Sequence, residues 1–169
     1  VQERLITDIC RYLSREASGE LDLLERDLPS VKPPFPRISY DEAIEMLQAG
    51  GIQIFWGQEI EVEQEEYLSR KFDKPFFISH YPLQPQTLFF KSHPRKTESV
   101  LLADLFASEG YGEIATCGQM IDDAEELLRK TKSENIDEKN YRWHIDLKKF
   151  VSSPYSGFAI GVERLLMWT

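Results

Sequence analysis

Two cysteines in 169 residues, three histidines, no surplus of basic charge and no long apolar run set the first limits on this chain. Cys10 and Cys117 stand alone, without a Cys-x-x-Cys, and read as reduced core thiols instead of a disulfide framework. His80, His93 and His144 lie too far apart in sequence to make a ligand pattern, so no zinc site is expected. No apolar run approaches the roughly 18 residues that would cross a bilayer. The opening VQERLITDIC mixes charges among its apolar positions instead of forming a signal-peptide core. These absences predict a soluble, cytoplasmic chain with no membrane partner. With 29 acidic against 20 basic residues the net charge is -9 and the pI is near 4.9. That balance excludes a broad phosphate-neutralising surface, so any nucleic-acid partner must be gripped mostly by another segment. There is no internal repeat or low-complexity linker, and no Ser-His-Asp or Cys-His constellation that would supply a nucleophile.

What is present is a composition, 41% hydrophobic and 29% charged, that suits one compact domain over residues 1–169. Val1, Leu5, Ile6, Ile9 and Leu13 recur at helical spacing, predicting a helix to about Arg15 with those residues inward. A second helical patch, 21–28, ends before the proline-rich 31–36. Ser39 or Asp41 can cap the next helix, whose Ala43, Ile44, Met46 and Leu47 face inward and whose Gly50-Gly51 pair closes it. EVEQEEYLSRKF reads as an acidic helix with Tyr67, Leu68 and Phe72 inside and its charges on a solvated face. From Pro75 to Gln119, FFISHY, TLFFKS, SVLLADLFA and GYGEIATCG are short apolar or alternating runs between turns, which predicts antiparallel strands. Helical patterns return at 121–132 and about 141–150. The ending reads as a strand, a glycine turn and a helix. The expected fold class is α+β, an antiparallel β-sheet flanked by helices.

Two places carry candidate chemistry. In SSPYSGFAIGVERLLMW, Gly161 at the strand-helix junction lets backbone approach a flat ligand, and Arg164 at the start of the helix can offer a permanently charged guanidinium to phosphate oxygens. Glu163 either steadies that arginine or points to solvent, and a Glu-Arg pair in a first helical turn is commonly just a solvated pair. In ADLF and GYGEI, Asp104 and Glu113 on adjacent strands would be two carboxylates in apolar surroundings, a pairing that invites Mg²⁺. The plainer alternative has Asp104 capping a turn and Glu113 facing solvent. His80, beside Tyr81-Pro82, either lines a pocket or is a hydrogen-bonded loop histidine.

Taken in order, PFPRISYDEAIEML, the YP of SHYPLQP, ADLF with GYGEI, and SPYSGFAIGVERLLM resemble the landmarks of the asparaginyl/aspartyl branch of the class II aminoacyl-tRNA synthetases, over nearly all 169 residues. The resemblance implies the later portion of that catalytic domain. Its chemistry would be ATP-dependent activation of asparagine or aspartate as an aminoacyl-adenylate for transfer to tRNA, with ATP and Mg²⁺ as cofactors. On the matching positions, Arg164 would bind the outer phosphates and Gly161 the adenine-side wall, and Asp104 and Glu113 would hold the metal. Arg164 and Glu113 would be the catalytic pair. The resemblance also implies that a dimer-forming motif and the α-phosphate arginine belong upstream of Val1. Adenylation, tRNA binding and a homodimer are thus expected of the full-length protein more than of this stretch. Met120 stands where the family usually has an arginine toward the amino acid side chain, Tyr155 where it has a histidine, and Ala159 where it has a glycine. Two other readings stay open: an asparagine synthetase-related ligase with ammonia as acceptor, and a non-catalytic paralogue acting as a nucleotide-binding or dimerisation module.

Overall fold

The computed structural model describes every residue except Ser30, Pro85, Gln86, Asn135, Val151 and Ser152. Ser152, which opens the closing segment, and Pro85 of SHYPLQP therefore lie outside the described residues. The elements in chain order are α1 (Gln2–Glu16), α2 (Ser18–Leu23), β1 (Arg37–Ser39), α3 (Tyr40–Ala49), α4 (Val62–Ser69), β2 (Phe76–Ser79), β3 (Leu102–Ala107), β4 (Gly112–Gln119), α5 (Ala124–Ser133), α6 (Glu138–Phe150), β5 (Ser156–Ile160) and α7 (Val162–Trp168). The strands form one five-stranded, mostly antiparallel sheet in the order β1-β2-β3-β4-β5. The expected α+β class is what the chain adopts. By internal contacts it divides into two compact units, one made of Val1–Ile78, Asp104–Ala115 and Ile160–Thr169, the other of Ser79–Ala103 and Thr116–Ala159.

In the first unit, α3 begins where Ser39 accepts from the Glu42 N–H while Glu42 accepts from the Ser39 N–H. This reciprocal cap satisfies two donors that a helix start otherwise leaves bare. Ala43, Ile44 and Leu47 are buried as the period predicts, Met46 is half-buried, and Gly50 closes the helix. Phe76 stacks on Phe72 and Phe106, with centroids 3.9 and 5.2 Å away, whereas Phe77 stacks on Phe35 at 6.4 Å. Successive strand residues thus use opposite faces. The helix α1 forms, but its inner face differs from the predicted stripe: Gln2, Ile6, Thr7 and Cys10 are buried, while Val1 and Leu5 are exposed. The second helical patch also begins and ends earlier than its apolar residues suggest, at Ser18–Leu23.

In the second unit, Ile121, Leu127 and Ile145 form a buried cluster lined by Phe89, Ala124 and Leu128, which joins α5 to α6. TLFFKS is not a strand; Phe90 makes an isolated antiparallel bridge to Met120, and Ser92 one to Val100. None of the described helices is long and apolar enough to cross a membrane.

Candidate functional site

The predicted positions Asp104, Glu113, Gly161 and Arg164 all fall in the first unit. Asp104 sits in β3 and is 9% exposed; Glu113 sits half-buried in the adjacent β4. The turn-capping, solvent-facing alternative for this pair is therefore not the arrangement found. Gly161 caps α7, and its N–H donates to the Ile114 carbonyl at 3.0 Å. That bond fixes the end of β5 against β4 and so aims the first turn of α7 at Glu113. Gly161 has an ordinary φ of -74°, and the atoms nearest to a Cβ built there all belong to Arg164, from 3.6 Å outward. Ala159, in the place of a family glycine, is not among the residues with positive φ, so the alanine is unstrained there.

Arg164 lies in the first turn of α7 with its side chain 48% exposed. Its Nη1 donates to the Glu113 backbone carbonyl at 2.9 Å and to Glu65 Oε2 at 3.0 Å. Glu163, the neighbour that could have steadied it, is exposed. The steadying carboxylate instead comes from α4, 99 residues earlier in the chain. Glu65 is 8% exposed, and the same Oε2 also accepts the Glu113 N–H at 3.1 Å. One carboxylate oxygen thus holds both the guanidinium and the backbone of the metal-candidate residue.

Glu65 is the buried partner of this arrangement that the sequence does not single out. The pattern of EVEQEEYLSRKF predicts a solvated charge run with Tyr67, Leu68 and Phe72 inside, yet Glu65, Leu68 and Ser69 are the buried face of α4. The physical reason is local. Ser69 Oγ accepts the Gly112 N–H at 3.3 Å one helical turn from Glu65, so α4 presents two polar groups to the start of β4. Gly112, at φ +75°, makes room: a Cβ there would meet Glu65 Oε2 at 2.6 Å. The spacing of Glu65 and Ser69 at i and i+4, beside Leu68, was a visible signal, but nothing in the sequence says that a carboxylate on that face has a distant arginine to meet.

The electrostatics are unbalanced. Burial, first, and then the like charges of Asp104 and Glu65 push the Glu113 carboxyl from the ordinary 4.5 up to about 7, with Arg164 acting in the opposite direction. Such a group keeps its proton to a higher pH than an ordinary carboxyl does. Among the described residues no three His, Cys, Asp or Glu side chains are grouped to hold a metal ion alone. Asp104 and Glu113 as a pair nevertheless suit Mg²⁺, which commonly takes one or two carboxylates and completes its shell with phosphate oxygens and water.

The histidines are placed differently. His80 and His93 meet edge to face in the second unit at 5.0 Å, with His93 Nδ1 accepting the Arg95 and Lys96 N–H groups. His80 has φ +63° and its Nδ1 lies 3.0 Å from Ser79 Oγ, so the hydrogen-bonded loop reading describes it. His144 packs against Phe89 and Trp143. Met120, also in the second unit, donates its N–H to the Tyr155 carbonyl at 3.1 Å. Two of the positions that depart from the family pattern are therefore direct neighbours.

Known proteins bear on this arrangement. The asparagine–tRNA ligase of Pyrococcus furiosus is 43% identical over 99% of this chain, and that of Pyrococcus abyssi 41%. The chain spans about 39% of the length of either relative. Among solved structures, asparaginyl-tRNA synthetase from Pyrococcus horikoshii superimposes with a TM-score of 0.93 at 40% identity, covering 99% of this chain and 41% of that one. The same synthetase complexed with asparaginyl-adenylate gives 0.92. Residues 1–169 match throughout the family described as tRNA synthetases class II (D, K and N). The ordered landmarks, the fold and the end-to-end match agree: this chain belongs to the class II tRNA synthetases of the D, K and N group.

Proposed function

We propose that residues 1–169 form the later portion of a single catalytic domain that activates asparagine with ATP and, in the full-length protein, passes the aminoacyl group to tRNA. The observation that carries this reading is the convergence of Arg164 with Glu113 through Glu65, beside Asp104, in a chain that resembles asparagine–tRNA ligases over its whole length. Asparagine is favoured over aspartate because these relatives bear that name. The proposed protein is cytoplasmic and homodimeric.

The reaction joins a carboxylate oxygen of the amino acid to the α-phosphorus of ATP and breaks the bond to the departing pyrophosphate. It needs no protein nucleophile, so the protein contributes by positioning and by stabilising charge. In this reading Arg164 grips the outer phosphates, its rigid guanidinium suited to two oxygens at once. Asp104 and Glu113 would hold Mg²⁺, which when bound would neutralise charge that builds up on the phosphates. Gly161, without a side chain, lets the adenine approach the backbone.

The test is pyrophosphate exchange across the amino acids on the longest native protein carrying this chain. Asparagine-dependent exchange is expected, and Arg164→Ala should raise KM for ATP by roughly tenfold or more with the fold retained. Unaltered ATP dependence in that variant would remove Arg164 from the site. Met120 keeps a second reading open, because a thioether cannot donate to a side-chain carboxylate or amide oxygen. It favours a module that binds nucleotide without catalysis, while the acidic balance of the chain suits an asparagine synthetase-related ligase with ammonia as acceptor. Product analysis with ammonia against tRNA separates that ligase from the main reading, and absence of exchange with every amino acid would favour the module.

A further inference from the structure

We infer that Glu65 is a positioning residue of the nucleotide site, holding Arg164 in its phosphate-facing geometry and locking it to the backbone of Glu113. This deepens the proposed function and rests on Arg164 contacting ATP.

The geometry separates Glu65 from an ordinary surface acid. Its side chain is 11% exposed, while that of Arg164 is 48% exposed, so the carboxylate is the buried anchor for a guanidinium that still reaches solvent. Oε2 accepts from Arg164 and from the Glu113 N–H, and Arg164 donates in turn to the Glu113 carbonyl. The three groups close a ring in which neither the arginine nor the start of β4 can shift without breaking a charge-assisted hydrogen bond. Two glycines shape the seat. Gly112 leaves space for the Glu65 carboxylate, and Gly110 leaves space for Arg70 of the same helix end, whose Nε would lie 2.8 Å from a Cβ at 110. The neighbouring Glu66 has a different task, since it pairs with Arg70 at the surface, 3.2 Å away.

A long arginine free to sample many rotamers loses that freedom each time it binds phosphate, whereas one already held by a buried carboxylate has lost most of it on folding. Glu65 also places negative charge beside Glu113, so its effect on ATP runs through Arg164 and not through direct contact with phosphate, which it would repel.

The experiment is a double-mutant cycle of Glu65→Gln and Arg164→Ala in the longest native protein. It is read as KM and kcat for ATP in pyrophosphate exchange and as the calorimetric Kd for a non-hydrolysable ATP analogue with Mg²⁺. Glu65→Gln alone should weaken ATP in both readouts by about fivefold to tenfold, with kcat changed less. In the Arg164→Ala background it should add nothing. Equal effects in both backgrounds would mean a merely structural role and overturn the inference. A full loss in Arg164→Ala with a silent Glu65→Gln would overturn it while leaving the proposed function standing, and a silent Arg164→Ala would overturn both. Should Glu65→Gln fail to fold, Glu65→Asp keeps the charge and withdraws it by one methylene. That variant must also weaken ATP, and wild-type affinity in it sinks the inference.

Discussion

The two units both bury charged groups, and they balance them in opposite ways. In the second unit Lys91 and Lys130 each have a polar partner. Lys91 donates to Asp122, and that bond holds the Asp122 carboxyl below its ordinary value. Lys130 donates to the Phe90 carbonyl at 2.7 Å with Glu126 3.8 Å away. In the first unit, Glu113 faces the like charges of Asp104 and Glu65, with the opposite charge of Arg164 acting against them. Matched pairs need nothing further to be stable, whereas an excess of carboxylate in a half-buried place is relieved only by a proton or a cation. Charge balance thus separates the cluster around Asp122 from the proposed site around Glu113.

The hardest blow to that distinction would come from removing the excess charge. Asp104→Asn with Glu113→Gln should abolish Mg²⁺-dependent ATP binding by calorimetry while leaving the Tm of the ligand-free protein equal or higher. Normal metal-dependent binding would take the pair out of the site. Lys130→Met should do the reverse: lose roughly 2 kcal/mol in denaturant unfolding, because the Phe90 carbonyl and Glu126 are left without their donor, with ATP affinity unchanged. Gly112→Ala falls between the two. Its positive φ should cost about 1 to 2 kcal/mol, and its Cβ, driven into Glu65, should weaken ATP as well. A variant that loses stability but keeps full ATP affinity would show that Glu65 can move without consequence.

The smallest effect is a pH slope. The folded-state value of Glu113 is raised from 4.5 to about 7, so its contribution to stability is fully present below the unfolded value and is lost as pH rises through about 7. The Tm of the ligand-free protein should therefore fall between pH 5 and 8 relative to Glu113→Gln, and saturating Mg²⁺ with ATP should remove the difference. Asp122 has the opposite sign. Its folded value is lowered from 3.8, and the stability it contributes is lost only as pH falls through that lowered value. Parallel profiles for wild type and Glu113→Gln would contradict the raised value.

Much of this is legible in the sequence. The Ser39 cap, the Gly50 stop, the helix-turn-strand order and the positions of Asp104, Glu113, Gly161 and Arg164 depend on local chemistry or on motifs whose order the sequence preserves. What was misread shares one cause. TLFFKS has strand texture, but Phe90 and Ser92 reach partners only through isolated bridges. In α1, Leu5 is exposed while Gln2 and Thr7 are buried, because the covering surface and not the period alone chooses the face.

The sequence by itself determined the α+β class and the family, since each follows from side-chain periodicity, turn chemistry or ordered motifs. Only the tertiary structure decided that Glu65, one acid in a run of acids, is buried while Glu66 is paired at the surface. A carboxylate leaves water only where a distant donor meets it. The donors here are the Arg164 guanidinium and the Glu113 N–H, brought to α4 from far along the chain by folding.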